Sequence, residues 1–398
     1  MKNKGELFMN FVFSDREESF KPNIFSVLNE KKNQMIKEGK TVYNLSVGTP
    51  DFKPDAHVMQ AVSEAALNPD SYKYALADMP ELLEAVQNWY KRRYDVTLET
   101  DEIMSVYGSQ EGITHVCLAL CNEGDTVLVP DPCYPIFSTA PFLAGAKLEY
   151  YQLVEENNYL PDLDNFDEEL AKKAKVMIVS FPANPVCKTA PDEFYVKLIA
   201  FAKKYNIIII HDNAYSEIIF DGRQGTSFLK FEGAKDVGIE FNSLSKSYNL
   251  TGARISFALG NKEIISKFKN IRTQIDYGIF IPVQKAAIAA LNGPQDILER
   301  NRSEYQKRRD ALCGGLRKIG WNVPDSEGTM FAWGPLPKGY TNSEEFCMEL
   351  LEKTGVICTP GSSFGSLGEG HVRFALVLPV DKIEELIDAI DKSGIIKK

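Results

Sequence analysis

The chain has no C-x-x-C pair, no histidines at metal-ligand spacing and no internal repeat. It also lacks any uncharged apolar run near the ~18 residues that a membrane span needs. Its seven cysteines, Cys117, Cys121, Cys133, Cys187, Cys313, Cys347 and Cys358, are odd in number, and read as reduced thiols serving as small apolar fillers. The four histidines, His57, His115, His211 and His371, are scattered, so no metal site is expected. An amino end reading MKNKGELFMNFVFSDREESF meets charges too soon after its short apolar patch to act as a signal peptide, and cytoplasm is the expected compartment. Positive charge is in deficit as well: 45 Lys+Arg against 55 Asp+Glu leave a net charge of −10. That balance excludes a nucleic-acid partner, which requires a basic face to displace counterions from phosphates. What is present is ordinary globular composition, 44% hydrophobic and 25% charged, over 398 residues. Disorder is excluded, and the length prior points to two or three domains.

Between about residues 100 and 260, strand-like and helix-like patterns alternate. Ile103–Tyr107, Thr126–Pro130, Lys147–Leu153, Val176–Ser180 and Asn206–Asp212 read as strands, Asp192–Tyr205 as an amphipathic helix, and Arg254–Gly260 as a further strand. The continuous β-branched run Ile207–Ile210 is typical of a strand buried on both faces. Such alternation predicts an α/β fold, with a mostly parallel sheet sandwiched by helices and ligands gathered at the carboxyl ends of the strands. Helical patterns follow at Lys262–Ile275, Pro282–Leu291 and Ile297–Ile319. From Asn322 a smaller α+β section begins, with a helix at Ser343–Thr354, a strand at Val372–Val377 and a last helix at Asp381–Ser393. The first ~40 residues carry little pattern. The expected organisation is an amino-terminal segment (1–49) packing with a small carboxyl-terminal domain (291–398, with its linking helix), and a large domain at 50–290.

Ser243-Leu244-Ser245-Lys246, Ser247-Tyr248-Asn249 and Lys353-Thr354-Gly355 imitate the S-x-x-K, S-x-N and K-T-G set of penicillin-binding proteins. The geometry argues against that reading. The second triplet starts immediately after the lysine, leaving no chain to cross a cleft, and Gly355 is the expected αL cap of a helix. Lys246, flanked by small hydroxyls, suits either a Schiff base or a solvated lysine in a serine-rich loop. Ser243, Ser245 and Arg254 suit a phosphate. Gly108-Ser109-Gln110 opens a helix, whose free N–H groups suit an anion. Asp212 closes an apolar strand, where a carboxylate is costly without a cationic partner. Asn184-Pro185 and Tyr215 lie close to further strand ends.

These motifs together resemble the fold-type I pyridoxal-phosphate (PLP) aminotransferases of the class I/II group. Their most specific part is S-x-S-K followed by G-x-R (Ser243, Ser245, Lys246, Gly252, Arg254). Asp212-Asn213-Ala214-Tyr215 matches D-x-A-Y, and Asp131-Pro132-Cys133-Tyr134-Pro135 matches D-P-x-Y-P. Pro360-Gly361-Ser362-Ser363-Phe364-Gly365 and the stretch around Arg373 match the carboxyl-domain motifs. The resemblance implies pyridoxal 5'-phosphate as cofactor and a small-molecule amino acid and 2-oxoacid as substrates. Amino transfer would be ping-pong through a Lys246 aldimine, in a homodimer with shared sites. By position it implies Lys246 as the Schiff-base lysine, Asp212 as partner of the ring nitrogen, and Tyr215 and Asn184 on the ring's phenolic oxygen. Ser109, Gln110, Ser243, Ser245 and Arg254 would hold the phosphate, with Tyr134 stacked on the ring. Arg373, helped by Gly48 and Asn184, would grip the substrate carboxylate. Tyr74, or alternatively Tyr72, would reach the phosphate of the other subunit.

The sequence departs from the family pattern at Cys187, where N-P-x-G has glycine, at Asp78, which replaces a usual glycine, and at the small Ala253. A PLP-dependent carbon–sulfur β-lyase on the same scaffold is the alternative, since it uses the same Lys, Asp and Arg. For the substrate side chain, Arg272 is a candidate second cation, and Tyr277 to Phe280 a candidate apolar wall.

Overall fold

The computed structural model describes residues 11–20 and 24–397. The other amino-terminal positions, including the first ten of the twenty residues read for a leader, lie outside the described residues. A short strand β1 (Tyr43–Asn44) precedes seven strands that form one sheet. These are β2 (Ile103–Val106), β3 (Thr126–Asp131), β4 (Lys147–Gln152), β5 (Ala174–Ser180), β6 (Ile208–Asp212), β7 (Gly238–Ser243) and β8 (Ser256–Gly260). Their order is β2-β8-β7-β6-β5-β3-β4. Strands β4, β3, β5, β6 and β7 pair in parallel, while β8 runs antiparallel to both neighbours, β7 and β2.

Side-chain alternation explains why both faces are apolar. Met177 and Val179 of β5 and Ile209 of β6 pack with Val86 and Trp89 of helix Pro80–Tyr94 and Leu198 of helix Asp192–Tyr205. Val176, Ile178 and Ile210 turn the other way, onto Ile113, Phe137 and Phe268 from helices Ser109–Leu120, Ile136–Leu143 and Lys262–Arg272. A strand with helices on both sides needs no polar face, hence the solid apolar run at Ile207–Ile210.

The 23-residue helix Asp296–Lys318 leads to the carboxyl-terminal part. There β9 (Phe331–Pro335), β10 (Val356–Ile357), β11 (Thr359–Pro360) and β12 (His371–Ala375) are laid down with helices Ser343–Thr354 and Val380–Ser393. Strands β11, β12 and β9 form an antiparallel sheet. Strand β1 pairs in parallel with β10, tying the chain's beginning to its end.

Several elements depart from the expected bounds, among them the strand expected at Val372–Val377, which is His371–Ala375, and three are instructive. Residues Ile24–Lys37 form a helix in the stretch read as patternless. Leu28 and Met35 are its members of a small cluster with Leu351 and Ile357, too thin a stripe to show as a period. The last strand of the large sheet starts at Ser256, because Arg254 takes φ 55° and breaks the extended run. Helix Lys262–Arg272 ends three residues earlier than its apolar pattern.

Candidate active site

Parallel strands place their carboxyl ends on one edge, and the chemistry-bearing residues collect there. Ser180 closes β5, Asp212 closes β6 and Ser243 closes β7, while helix Ser109–Leu120 follows β2. Because β8 runs the opposite way, its entry at Arg254–Ser256 falls on the same edge, with Ser256 opposite Ser243. A cavity of about 300 Å³ opens there. It is lined by Gly48, Ser109, Gln110, Tyr134, Asn184, Asp212, Tyr215, Ser243, Ser245, Lys246, Arg254 and Arg373. The structure therefore brings together all the residues expected at the site except Tyr74.

One end of the cavity is built for an anion. Gly108, at φ 90°, turns the chain into the helix that begins at Ser109. The first turn of that helix leaves its N–H groups without intrahelical partners. The Ser109 hydroxyl is buried and has no hydrogen-bond partner. Arg254 is anchored by donating to the carbonyls of Thr251 (3.0 Å) and Tyr107 (3.3 Å). Ser243 accepts from the Ser256 hydroxyl at 2.8 Å and from the Ser245 N–H at 3.2 Å. Tyr134 donates to Gln110 Oε1 at 2.8 Å.

Lys246 donates to the Gly48 carbonyl at 2.6 Å. Burial lowers its pKa to about 8, with the neighbouring charges of Arg254 and Arg373 adding to the shift. Such an amine loses its proton more readily than a solvated lysine does. Asp212 shows the opposite displacement. Burial raises its pKa to about 7 against the pull of the Ala214 N–H, and its Oδ1 has no partner. A buried carboxylate left this way awaits a cationic donor. Burial also raises Tyr215 far above the ordinary phenol value, and raises Tyr134, with the charge of Asp212 contributing to both.

Arg373 forms the other end. Its Nη1 donates to Asn184 Oδ1 at 2.8 Å and its Nη2 to the Ser46 carbonyl at 3.2 Å. Its guanidinium lies 4.0 Å from the ring centre of Phe331 and 4.5 Å from that of Phe364. Burial lowers its pKa to about 10 and Nε has no partner, so a carboxylate is the natural complement. Phe331, Val47, Phe137 and Thr251 also line the cavity and were missed in the sequence. Phe364 was visible only as a motif letter. Phe331 sits on β9, far along the chain, and nothing local marks it.

Tyr74 and Tyr72 do not reach this cavity. Both are exposed, Tyr74 packed on Tyr277 (4.9 Å) and Tyr72 on Phe280 (5.5 Å). Arg272 does not line it either: it is buried, its Nε bonded to Asp276 at 3.0 Å and its Nη1 donating to the Ser105 carbonyl. The second-cation and apolar-wall readings of Arg272 and Tyr277–Phe280 therefore do not apply within one chain's cavity. Asp78 accepts from the N–H of Ser105 at 2.9 Å and from its hydroxyl, anchoring the Tyr74 segment to β2. Cys187 takes φ 60°, the left-handed conformation usually left to glycine. Its Sγ accepts from Thr329 at 3.3 Å and contacts the Pro185 carbonyl at 3.0 Å.

Comparison with known proteins gives a consistent result. The chain is 44% identical over 384 residues to an LL-diaminopimelate aminotransferase of Halothermothrix orenii, covering 96% of this chain and 98% of that one. It is 43% identical to the protein of the same name from Aquifex aeolicus, at 96% and 98% coverage. The substrate-bound structure of BacF from Bacillus subtilis superposes with a TM-score of 0.92 at 36% identity, covering 96% and 98% of the two chains. These relatives carry the transaminase reading and lend the β-lyase alternative no support. With residues 40–390 matching the family Aminotransferase class I and II, the chain belongs to that family and is a PLP-dependent transaminase.

Proposed function

We propose that this transaminase takes LL-diaminopimelate as its amino donor and passes the amino group to a 2-oxoacid. The observation that carries this reading is the 44% identity, over nearly the full length of both chains, to a protein named for that substrate. The cavity fits the cofactor. Buried polar atoms without partners, Ser109 Oγ and Asp212 Oδ1, stand where a phosphate oxygen and a protonated ring nitrogen would satisfy them. Ser109, Gln110, Ser243, Ser245 and Arg254 would hold the phosphate, Tyr134 would cover the ring, and Asn184 and Tyr215 would bond its phenolic oxygen. When bound, PLP supplies the electron-withdrawing ring that makes an amino acid's Cα–H acidic. Asp212 would keep a proton on the ring nitrogen. Lys246 would hold the cofactor's aldehyde carbon and, once displaced, move the proton from the substrate Cα to the cofactor's C4′ carbon. Arg373 orients the substrate through its α-carboxylate, alongside Asn184 and the Gly48 backbone.

Diaminopimelate carries a second amino-acid end. Among the described residues lining the cavity, the cations are Lys246, Arg254 and Arg373, and each already has a task. A further cation for the far carboxylate would have to come from beyond these lining residues. Tyr74, Leu76 and Tyr277 form an exposed apolar face beside the segment Asp78 anchors. This supports a homodimer in which Tyr74, with Tyr72 as alternative, reaches the phosphate of the partner subunit. The parallel pairing of β1 with β10 supports the division into a large domain at 50–290 and a small one built from 1–49 and 291–398. Seven free, buried cysteines support the cytoplasm as its compartment, and no helix among the described residues is long and apolar enough to cross a membrane.

The test is a donor panel with 2-oxoglutarate as acceptor. LL-diaminopimelate is expected to exceed meso-diaminopimelate, aspartate and phenylalanine by about tenfold or more in kcat/KM, since mismatched polar ends leave buried groups unpaired. Faster transfer from a simple α-amino acid would overturn the substrate assignment.

A further inference from the structure

Asp131 is a buried carboxylate without a cation, and no step described above uses it. It closes β3 on the cavity edge of the sheet, 7% exposed. Among the described residues no lysine, arginine or histidine pairs with it. Instead it bonds to a loop of the carboxyl-terminal part: Oδ2 accepts from the Ser366 hydroxyl at 2.6 Å and Oδ1 from the Leu367 N–H at 3.1 Å. Two residues on, the Cys133 N–H donates to the Phe364 carbonyl at 2.7 Å. The fit is close. A Cβ on Gly365, which has φ 130°, would stand 2.1 Å from Asp131 Oδ1.

The same loop touches the substrate end of the cavity from its other side, because the Phe364 ring covers the Arg373 guanidinium at 4.5 Å. Tyr134, three residues after Asp131, lines the cavity from the large-sheet side. Asp131, with the Cys133 N–H, thus joins the segment carrying the cofactor-facing Tyr134 to the loop whose Phe364 ring lies on Arg373. A buried carboxylate is costly unless donors meet it, and a merely packed contact would not need one. Two donors from one loop fix that loop's position more tightly than apolar contact does.

We propose that Asp131 is a positioning residue for transamination: through Ser366, Leu367 and Phe364 it holds the Arg373 guanidinium in register with the cofactor-covering Tyr134. The proposal rests on the reading of Arg373 as the clamp for the substrate carboxylate.

Steady-state kinetics of the holoenzyme test both, and separate them. Asp131→Ala should raise KM for amino donor and oxoacid about tenfold, with kcat within about threefold and the visible absorbance of bound PLP unchanged. Asp131→Asn, whose amide can accept from Leu367 N–H and donate to Ser366 Oγ, should return KM to within about threefold of the parent. Ser366→Ala, which removes one of the two donors to Asp131 and keeps the Leu367 N–H, should raise KM about threefold and carries the test should Asp131→Ala fail to fold. Arg373→Lys should raise KM by itself, and adding Asp131→Ala to it should raise KM no further, since both act through one group. Unchanged KM in Asp131→Ala, a loss confined to kcat, or a full additional tenfold rise in the Arg373→Lys background would overturn the positioning role. Unchanged KM in Arg373→Lys would instead overturn the clamp reading.

Discussion

Asp212 has a carboxyl whose pKa stands near 7 in the cofactor-free fold against an ordinary 3.8, and burial is the main cause. A group with a raised folded pKa contributes stability that is complete below its unfolded value and lost as pH rises through the folded one. The cofactor-free protein should therefore lose stability between about pH 4 and pH 7 on account of Asp212. Asp212→Asn should match the parent in thermal unfolding near pH 4 and exceed it by about a few degrees in Tm at pH 8. With PLP bound the comparison should reverse, because in the proposed role the ring nitrogen would provide the cation that the carboxylate lacks. An absorbance titration should show PLP affinity lowered at least about tenfold in Asp212→Asn. Lys246 is displaced in the other direction, and its loss should be felt in turnover: Lys246→Ala should cut transamination by about a thousandfold or more while still binding some PLP. Normal turnover in that variant would remove Lys246 from the chemistry.

Elements, rather than single residues, make the anion end of the cavity. Helix Ser109–Leu120 can point its free N–H groups inward only because Gly108 takes φ 90° just before it. A Cβ at Gly108 would come within 2.2 Å of Arg254 Nη2. Gly108→Ala should therefore displace the arginine as well as strain the turn, and weaken PLP binding about tenfold or more in the same titration, with little change in Tm of the cofactor-free protein. This helix start was readable because a β-prone run, a glycine and a helical period follow each other directly, and the central strands were readable because burial on both faces writes a solid apolar run. Elements with thin buried faces left no such trace. Helix Ile24–Lys37 leans on a small four-residue cluster, and β1, β10 and β11 have two residues each, so their pairing comes from distant chain rather than from local pattern. The site divides in the same way. Lys246, Asp212 and Arg254 lie in motifs whose spacing carries their chemistry, whereas Phe331 reaches Arg373 only through the register of β9 against β12. The environment of Asp131 was hidden too, since its donors Ser366 and Leu367 lie more than two hundred positions along the chain.

At the scale of the whole molecule the question is where Tyr74 acts. Its ring is exposed and held from behind by Tyr277, while Tyr72 rests on Phe280, so two segments present one aromatic face to the outside. An exposed apolar face of this kind marks an interaction surface. Most soluble oligomers are symmetric dimers, in which each residue of such a face meets its twin subunit. If Tyr74 serves the partner's phosphate, each site needs Lys246 from one chain and Tyr74 from the other. Mixing Lys246→Ala chains with Tyr74→Ala chains, after brief unfolding and joint refolding at limiting PLP, then creates hybrids with one site that has both residues. Equal mixing makes half the dimers hybrid and restores one of two sites in each, so activity should recover to about a quarter of the parent although each variant alone is impaired. If Tyr74 served its own chain, or the protein were a monomer, no chain in the mixture would hold an intact pair and activity would stay at the mean of the two variants. Repeating the mixture with Tyr72→Ala in place of Tyr74→Ala assigns the role between the two tyrosines, because only the one that crosses the interface is complemented by the Lys246→Ala chain.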